Sequence, residues 1–286
     1  MAKLEQYGTL FIVATPIGNL GDMTQRAVDV LANVDSIAAE DTRHSGKLLQ
    51  KLQNSVPLVA YHDFSSESVI SKILQQIQAG QSIALISDAG TPLISDPGYK
   101  LVKQARDLGI NVLPIPGASA VTAALSVAGL PTDKFVFEGF LPKKAQARSE
   151  RLTELADESR TMVFYEAPHR IIECIGALGT VFGDARPIFI GRELTKKFES
   201  HFVGNTSGAL LWLQEDKDQQ KGEFVIVLAG CQRQEAQSRK LRKAVELVAS
   251  LRRDLTTKRA VAIASEITGA RKNQLYDLVI RSDRDE

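Results

Sequence analysis

The residues with chemistry to offer gather in short polar segments, each directly behind an apolar run. Ser87-Asp88-Ala89-Gly90-Thr91-Pro92-Leu93-Ile94-Ser95-Asp96-Pro97-Gly98 follows Ile83–Ile86 and carries two carboxylates among turn formers. Ala14-Thr15-Pro16-Ile17-Gly18-Asn19 follows Leu10–Val13, and Pro116-Gly117-Ala118-Ser119-Ala120 follows Val112–Ile115. A polar turn at the carboxyl end of a buried strand is where open α/β sheets bind small ligands. Three such units near the start of the chain predict one cleft. Asp88 and Asp96 either serve that cleft or cap their own turns.

Several common chemistries find no support. Ile17-Gly18-Asn19-Leu20-Gly21 lacks the first glycine of the dinucleotide fingerprint. No Gly-Lys-Ser/Thr phosphate loop is present. Cys174 and Cys231 have no Cys or His at metal-ligand spacing, so the expectation is two reduced thiols and no metal. No apolar run approaches the roughly 20 residues that span a bilayer. Met1–Tyr7 has no hydrophobic stretch of the secretory kind, so a cytoplasmic protein is expected.

The elements that must position these loops follow from periodicity. Apolar residues are 44% and charged residues 24% of 286, ordinary for a globular chain with room for two domains. Strands are predicted near 9–14, 35–39, 57–61, 82–87 and 111–115, with helices between most of them. Asp22 reads as an N-cap with Gln25 three residues on, and Ser66–Ala79 as a helix closed by Gly80. Such alternation predicts a largely parallel sheet. Beyond the helix Ala120–Ala128, strands are predicted at 134–140, 161–166, 186–191, 198–204 and 223–229, with helices at Lys143–Glu158 and Ile171–Leu178. Cys231–Ser238 is polar and unpatterned and reads as a linker. Residues 239–286 are helical in pattern. The expected units are therefore 1–118, 119–232 and 239–286.

Taken together, Thr15–Leu20, Ala39-Glu40-Asp41-Thr42-Arg43, Ser87–Gly98, Pro116-Gly117, Phe164-Tyr165-Glu166-Ala167-Pro168-His169-Arg170, Arg192–Lys196 and Lys221-Gly222-Glu223 closely resemble the ribosomal RNA small subunit methyltransferase I family. That family belongs to the tetrapyrrole-methylase-like enzymes. The resemblance implies two α/β domains with S-adenosylmethionine in the cleft between them, and a helical C-terminal domain. Carried over residue by residue, it makes Ile17, Asp88, Gly90, Thr91, Ile94, Ser119, Ala120, Tyr165, Leu194 and Glu223 the cofactor contacts. It further implies a homodimer that methylates the 2′-hydroxyl of a cytidine ribose in the decoding region of 16S ribosomal RNA, naked or in the small subunit. A ribose hydroxyl is a poor nucleophile at neutral pH, so a base or a stabilising cation is expected. The candidates are Glu40, Asp41, the carboxylate of Glu193 and the cation of Lys196, and positioning without a base stays open. A tetrapyrrole or other small-molecule methylase, or a cofactor-sensing regulator, are the competing readings.

Charge adds a direction. The whole chain is +1, yet residues 233–286 hold 13 Lys and Arg against 8 Asp and Glu. Lys258–Gly269 and Asn273–Ile280, joined by Ala270-Arg271-Lys272, match a helix-turn-helix. Arg271 and Lys272 are expected RNA contacts, as are Arg43, Lys143, Lys144, Arg148 and Arg170. Arg43 and His44 either line the RNA cleft or bond locally. His62-Asp63 and His201 are expected to be structural or peripheral.

Overall fold

A computed structural model describes residues 7–62 and 64–285. Asp63, and with it the His62-Asp63 pair, lies outside the described residues. The first sheet contains β1 (Thr9–Val13), β2 (Ser36–Ala39), β3 (Leu58–Ala60), β4 (Ile83–Ile86) and β5 (Asn111–Ile115). All pairings are parallel, in the order β3-β2-β4-β1-β5. β2 and β4 are buried along their whole length, as parallel strands covered on both faces must be. The helices α1 (Gln25–Asn33), α2 (Thr42–Lys51), α3 (Glu67–Gln78) and α4 (Tyr99–Asp107) supply the covering layers. Leu31, Ile70, Ile73, Ile77 and Leu101 fill those layers at near-zero exposure, each such side chain contributing about 1.5–3 kcal/mol.

The strand order explains why three separate loops converge. β4, β1 and β5 are neighbours, so the turns at their carboxyl ends lie side by side. Hydrogen bonds stitch them together: Thr15 and Gly90 exchange backbone bonds of 2.9 and 3.1 Å, and Thr91 Oγ1 donates to the Ala118 carbonyl at 3.1 Å.

The second sheet is mixed, in the order β6 (Phe135–Phe140), β7 (Thr161–Glu166), β10 (Phe224–Leu228), β8 (Pro187–Arg192), β9 (Ser200–Asn205). Only β6 and β7 run parallel among these pairs. One face carries α5 (Ala120–Val127), whose Val121, Ala124 and Leu125 pack on Val163, Phe189 and Val225. The other face carries α6 (Ala145–Glu154), α7 (Ile171–Phe182) and α8 (Thr206–Glu215) over Phe164, Ile190 and Ile226. Last come α9 (Arg233–Leu251), α10 (Thr257–Thr268) and α11 (Lys272–Asp285), around a core of Ala244, Val248, Val261, Ala264 and Leu275.

Three expectations are corrected. Asp22 caps nothing: it ends a 3-10 turn, and Thr24 caps α1 by accepting the Ala27 N–H at 3.2 Å. Cys231–Ser238 is not a linker, because α9 begins at Arg233 with a Gln232–Glu235 capping box. Its first turns dock through ion pairs, Glu235 with Arg186 at 2.7 Å and Arg239 with Asp157 at 3.4 Å, which leaves no apolar stripe to read. The helix expected over Lys143–Glu158 spans only Ala145–Glu154, so Lys143 and Lys144 stand in the loop before it.

Candidate active site

A cavity of about 450 Å³ opens between the two sheets, within the size range of small-ligand sites. Its walls come from the three converging loops on one side and from β7, β10 and the turn after β8 on the other. Ile17, Asp88, Gly90, Thr91, Ile94, Ser119 and Ala120 line the first wall. Tyr165, Leu194 and Glu223 line the second. Every residue expected to contact a cofactor therefore faces this one space. Lys196 and Asp96 join them, together with Phe140 and Glu166, which the sequence does not single out as ligand contacts.

The backbone is held in unusual conformations around the cavity. Of the five non-glycine residues with left-handed backbone among the described residues, four stand here, two on each facing loop: Leu93 (φ 73°), Ser95 (66°), Glu193 (52°) and Thr195 (67°). Such conformations persist only where the surroundings over-determine them. Gly90 adopts φ +78°, and a Cβ there would come within 3.3 Å of Ile17, so the main chain itself forms the wall.

At the rim, one ammonium binds two carboxylates. Lys196 Nζ lies 2.9 Å from Glu193 Oε1 and 2.9 Å from Glu223 Oε2. Glu193 Oε1 also accepts the Glu223 N–H at 2.8 Å, and the Glu193 N–H donates to the Glu223 carbonyl at 2.9 Å. Gly18 of the first domain lies against the lysine stem: a Cβ there would sit 2.3 Å from Lys196 Cγ. Burial works against the Lys196 charge, but the bonds to Glu193 and Glu223 outweigh it and raise its pKa. Burial likewise opposes the Glu193 carboxylate, and Lys196 with the Glu223 N–H more than compensates, lowering its pKa. Lys196 is thus a fixed cation, and Glu193 a weak base already committed to it. Tyr165, pushed up to about 12 mainly by burial and further by Asp96, stays a neutral phenol.

The remaining expected residues separate. Asp41 caps α2, accepting the Arg43 and His44 N–H groups at 2.8 and 3.3 Å, and those bonds lower its pKa. Neither Asp41 nor Glu40 lines the cavity. The Asp41 N–H donates to Asp88 Oδ1 at 3.2 Å, so this segment braces the loop behind the wall. Arg43, Lys143, Lys144, Arg271 and Lys272 are exposed. Arg148 and Arg170 are not offered to a polyanion, and both expectations are corrected. The Arg148 side chain is 5% exposed and pairs with Glu173 at 3.0 Å. Arg170 is buried against Glu166 at 3.2 Å and donates to the Leu141 carbonyl at 2.7 Å. Each guanidinium neutralises a carboxylate of its own domain. His201 bonds Glu199 at 2.7 Å within β9.

These two α/β layers with a cleft between them define a class. Residues 9–210 match the Tetrapyrrole (Corrin/Porphyrin) Methylases, and residues 240–282 match the RsmI C-terminal HTH domain. Solved structures share the fold of the first three-quarters: uroporphyrin-III C-methyltransferase of Thermus thermophilus (TM-score 0.53, 19% identity, 78% of this chain and 94% of that one) and diphthine synthase (TM-score 0.57, 12% identity, 78% and 90%). Closer likeness is to proteins called ribosomal RNA small subunit methyltransferase I. That of Pseudomonas aeruginosa is 47% identical, covering 96% of this chain and 97% of the relative, and that of Xylella fastidiosa (strain Temecula1) is 49% identical, covering 94% and 98%. The chain belongs to the ribosomal RNA small subunit methyltransferase I family.

Proposed function

We propose that this protein methylates small-subunit ribosomal RNA with S-adenosylmethionine, at the 2′-hydroxyl of a cytidine ribose in the decoding region of 16S RNA. The observation that carries this reading is one cavity between the two sheets that takes in all ten residues expected to hold the cofactor. The donor set suits that molecule. Ile17, Ile94, Leu194 and Val225 offer apolar walls, and Asp88 and Asp96 bring carboxylates to the lining besides Glu166, which Arg170 neutralises, and Glu223, which Lys196 binds. That balance favours a ligand with cationic groups. When bound, S-adenosylmethionine supplies an electrophilic methyl group; the chain's own groups do the rest.

Positioning comes first, because donor carbon and acceptor oxygen must meet at roughly 3–3.5 Å. The two facing loops with left-handed backbone provide rigid walls for that alignment. Lys196, held protonated at the rim, stabilises negative charge on an acceptor oxygen as its proton leaves. Glu223 is the member of the network with an open carboxylate, 77% exposed, and is the better placed to take that proton. Exposed Arg43, Lys143 and Lys144, and the tail's Arg271 and Lys272, grip the RNA backbone.

The same reading places the enzyme in the cytoplasm as a homodimer. Among the described residues no helix is long and apolar enough to cross a membrane. The test is methyl transfer from labelled S-adenosylmethionine to small subunits and to naked 16S RNA, both from cells lacking this protein. Label in either supports the proposal. Cofactor binding without RNA label would instead favour a small-molecule methylase or a cofactor sensor.

A further inference from the structure

We propose that the exposed ring of Phe140 is the platform on which the base of the acceptor nucleotide stacks, with Lys143 and Lys144 holding phosphates of the same strand. The inference rests on the function proposed above and assigns the residue that presents the RNA to the cavity.

Phe140 combines two properties that seldom coincide. It lines the cavity, yet it is 56% exposed. Its aim is built into the strand. Phe137 and Phe140 are three residues apart, so an unbroken strand would turn them to opposite faces. A bulge in the β6–β7 pairing between Phe137 and Gly139 inserts the extra residue that brings both onto one face. Gly139 accommodates it with φ +65°. Both rings then meet Tyr165 edge-on, with centroids 5.0 Å and 5.6 Å away and planes inclined at 68° and 62°. Phe140 is thus braced against Tyr165 while more than half of it stays exposed.

Its neighbours fix the setting. A Cβ on Gly139 would come within 3.0 Å of Ser95 Oγ, so the bulge abuts the first domain's left-handed loop at the mouth of the cleft. Three and four residues after Phe140, Lys143 and Lys144 stand exposed. Arg148 and Arg151, next along α6, are committed to Glu173 and Glu138. An exposed aromatic ring beside two unburied ammonium groups matches how single-stranded RNA is held: bases stack on rings and cations take the phosphates. Stacking accepts any base, so this platform presents the nucleotide without choosing cytosine.

The test compares Phe140→Ala, Phe140→Leu and Phe140→Trp with the wild-type enzyme. Steady-state methyl transfer to small subunits from cells lacking the protein gives kcat and KM, and calorimetry gives the Kd for S-adenosylmethionine. Leucine keeps an apolar contact with Tyr165 but offers no ring. The expected result is a fall in kcat/KM of roughly 5- to 100-fold in Phe140→Ala and Phe140→Leu. Phe140→Trp should stay close to wild type and cofactor Kd should be unchanged throughout. Wild-type kinetics in Phe140→Leu would overturn the inference, as would cofactor binding weakened in step with turnover, which assigns the ring to the cofactor. A wild-type enzyme that binds cofactor but labels no RNA refutes the proposed function itself, and this inference with it.

Discussion

Replacing Lys196 by methionine removes the ammonium while keeping the stem that lies along Gly18, and the structure sets how much that should matter. Lys196 and Glu193 are 25% and 18% exposed and 2.9 Å apart. At an effective dielectric of about 20 their gross attraction is about 6 kcal/mol, most of which offsets desolvation. Exposed pairs net at most ~1 kcal/mol, and breaking fully buried ones costs ~3–5 kcal/mol. This pair lies between, so Lys196→Met should destabilise by about 2 kcal/mol, mainly by leaving the Glu193 carboxylate uncompensated. The open Glu223 arm adds little. Adding Glu193→Gln removes the stranded charge while its amide oxygen still accepts the Glu223 N–H. The double variant should recover at least ~1 kcal/mol. Activity should not follow stability: both variants should lose about 100- to 1000-fold in kcat, the range set by removing one preorganised electrostatic group. Urea unfolding and labelled methyl transfer give the two readouts. A double variant no more stable than the single one would refute the electrostatic account. Recovery of turnover in the double variant would make Lys196 merely structural.

The pH dependence follows from the same pair. Glu193 is held below its ordinary 4.5 and Lys196 above its ordinary 10.5, so their contribution is full between those values, lost as pH falls through the folded Glu193 pKa and again as pH rises through that of Lys196. The stability gap between wild type and Glu193→Gln/Lys196→Met should accordingly close below pH 4.5 in urea titrations. Gly18→Ala puts a Cβ 2.3 Å from Lys196 Cγ at φ +152°, which should cost about 1–3 kcal/mol in unfolding experiments and lower turnover by dislodging Lys196. Arg170→Met strands the fully buried Glu166 carboxylate and should destabilise by about 3–5 kcal/mol, seen in the same unfolding experiments. Arg271→Ala with Lys272→Ala should weaken RNA binding and flatten its salt dependence by about 0.7–0.9 per lost phosphate contact, measured by filter binding across a salt series.

Much of the cleft was legible because it follows from strand ends. The runs Leu10–Val13, Ile83–Ile86 and Val112–Ile115 are parallel strands, and the polar residues after each had to meet once those strands were neighbours. The tail's turn was legible too, since Gly269 adopts φ +69° between α10 and α11. What escaped were effects of partners that only folding brings together. Arg148 and Arg170 read as surface cations because Glu173 and Glu166 become their partners only on folding. The start of α9 was hidden because polar side chains, not an apolar stripe, dock it. α8 was not picked out: Leu210, Leu211 and Leu213 blur its amphipathic pattern, with Leu211 left exposed. Phe140 carried one usable signal: a glycine inside a strand, Gly139, marks a bulge and a redirected neighbour.

The most direct measurement maps the methyl group by its chemistry. Small subunits and naked 16S RNA from cells lacking this protein are incubated with enzyme and methyl-labelled S-adenosylmethionine, and the RNA is then hydrolysed in alkali. A 2′-O-methyl ribose cannot attack its own phosphodiester, so the account predicts label in one alkali-resistant dinucleotide whose 5′ residue is 2′-O-methylcytidine. Label released as a mononucleotide would place the methyl on a base. No label in RNA, with the cofactor bound, would place the reaction elsewhere; either result contradicts the account.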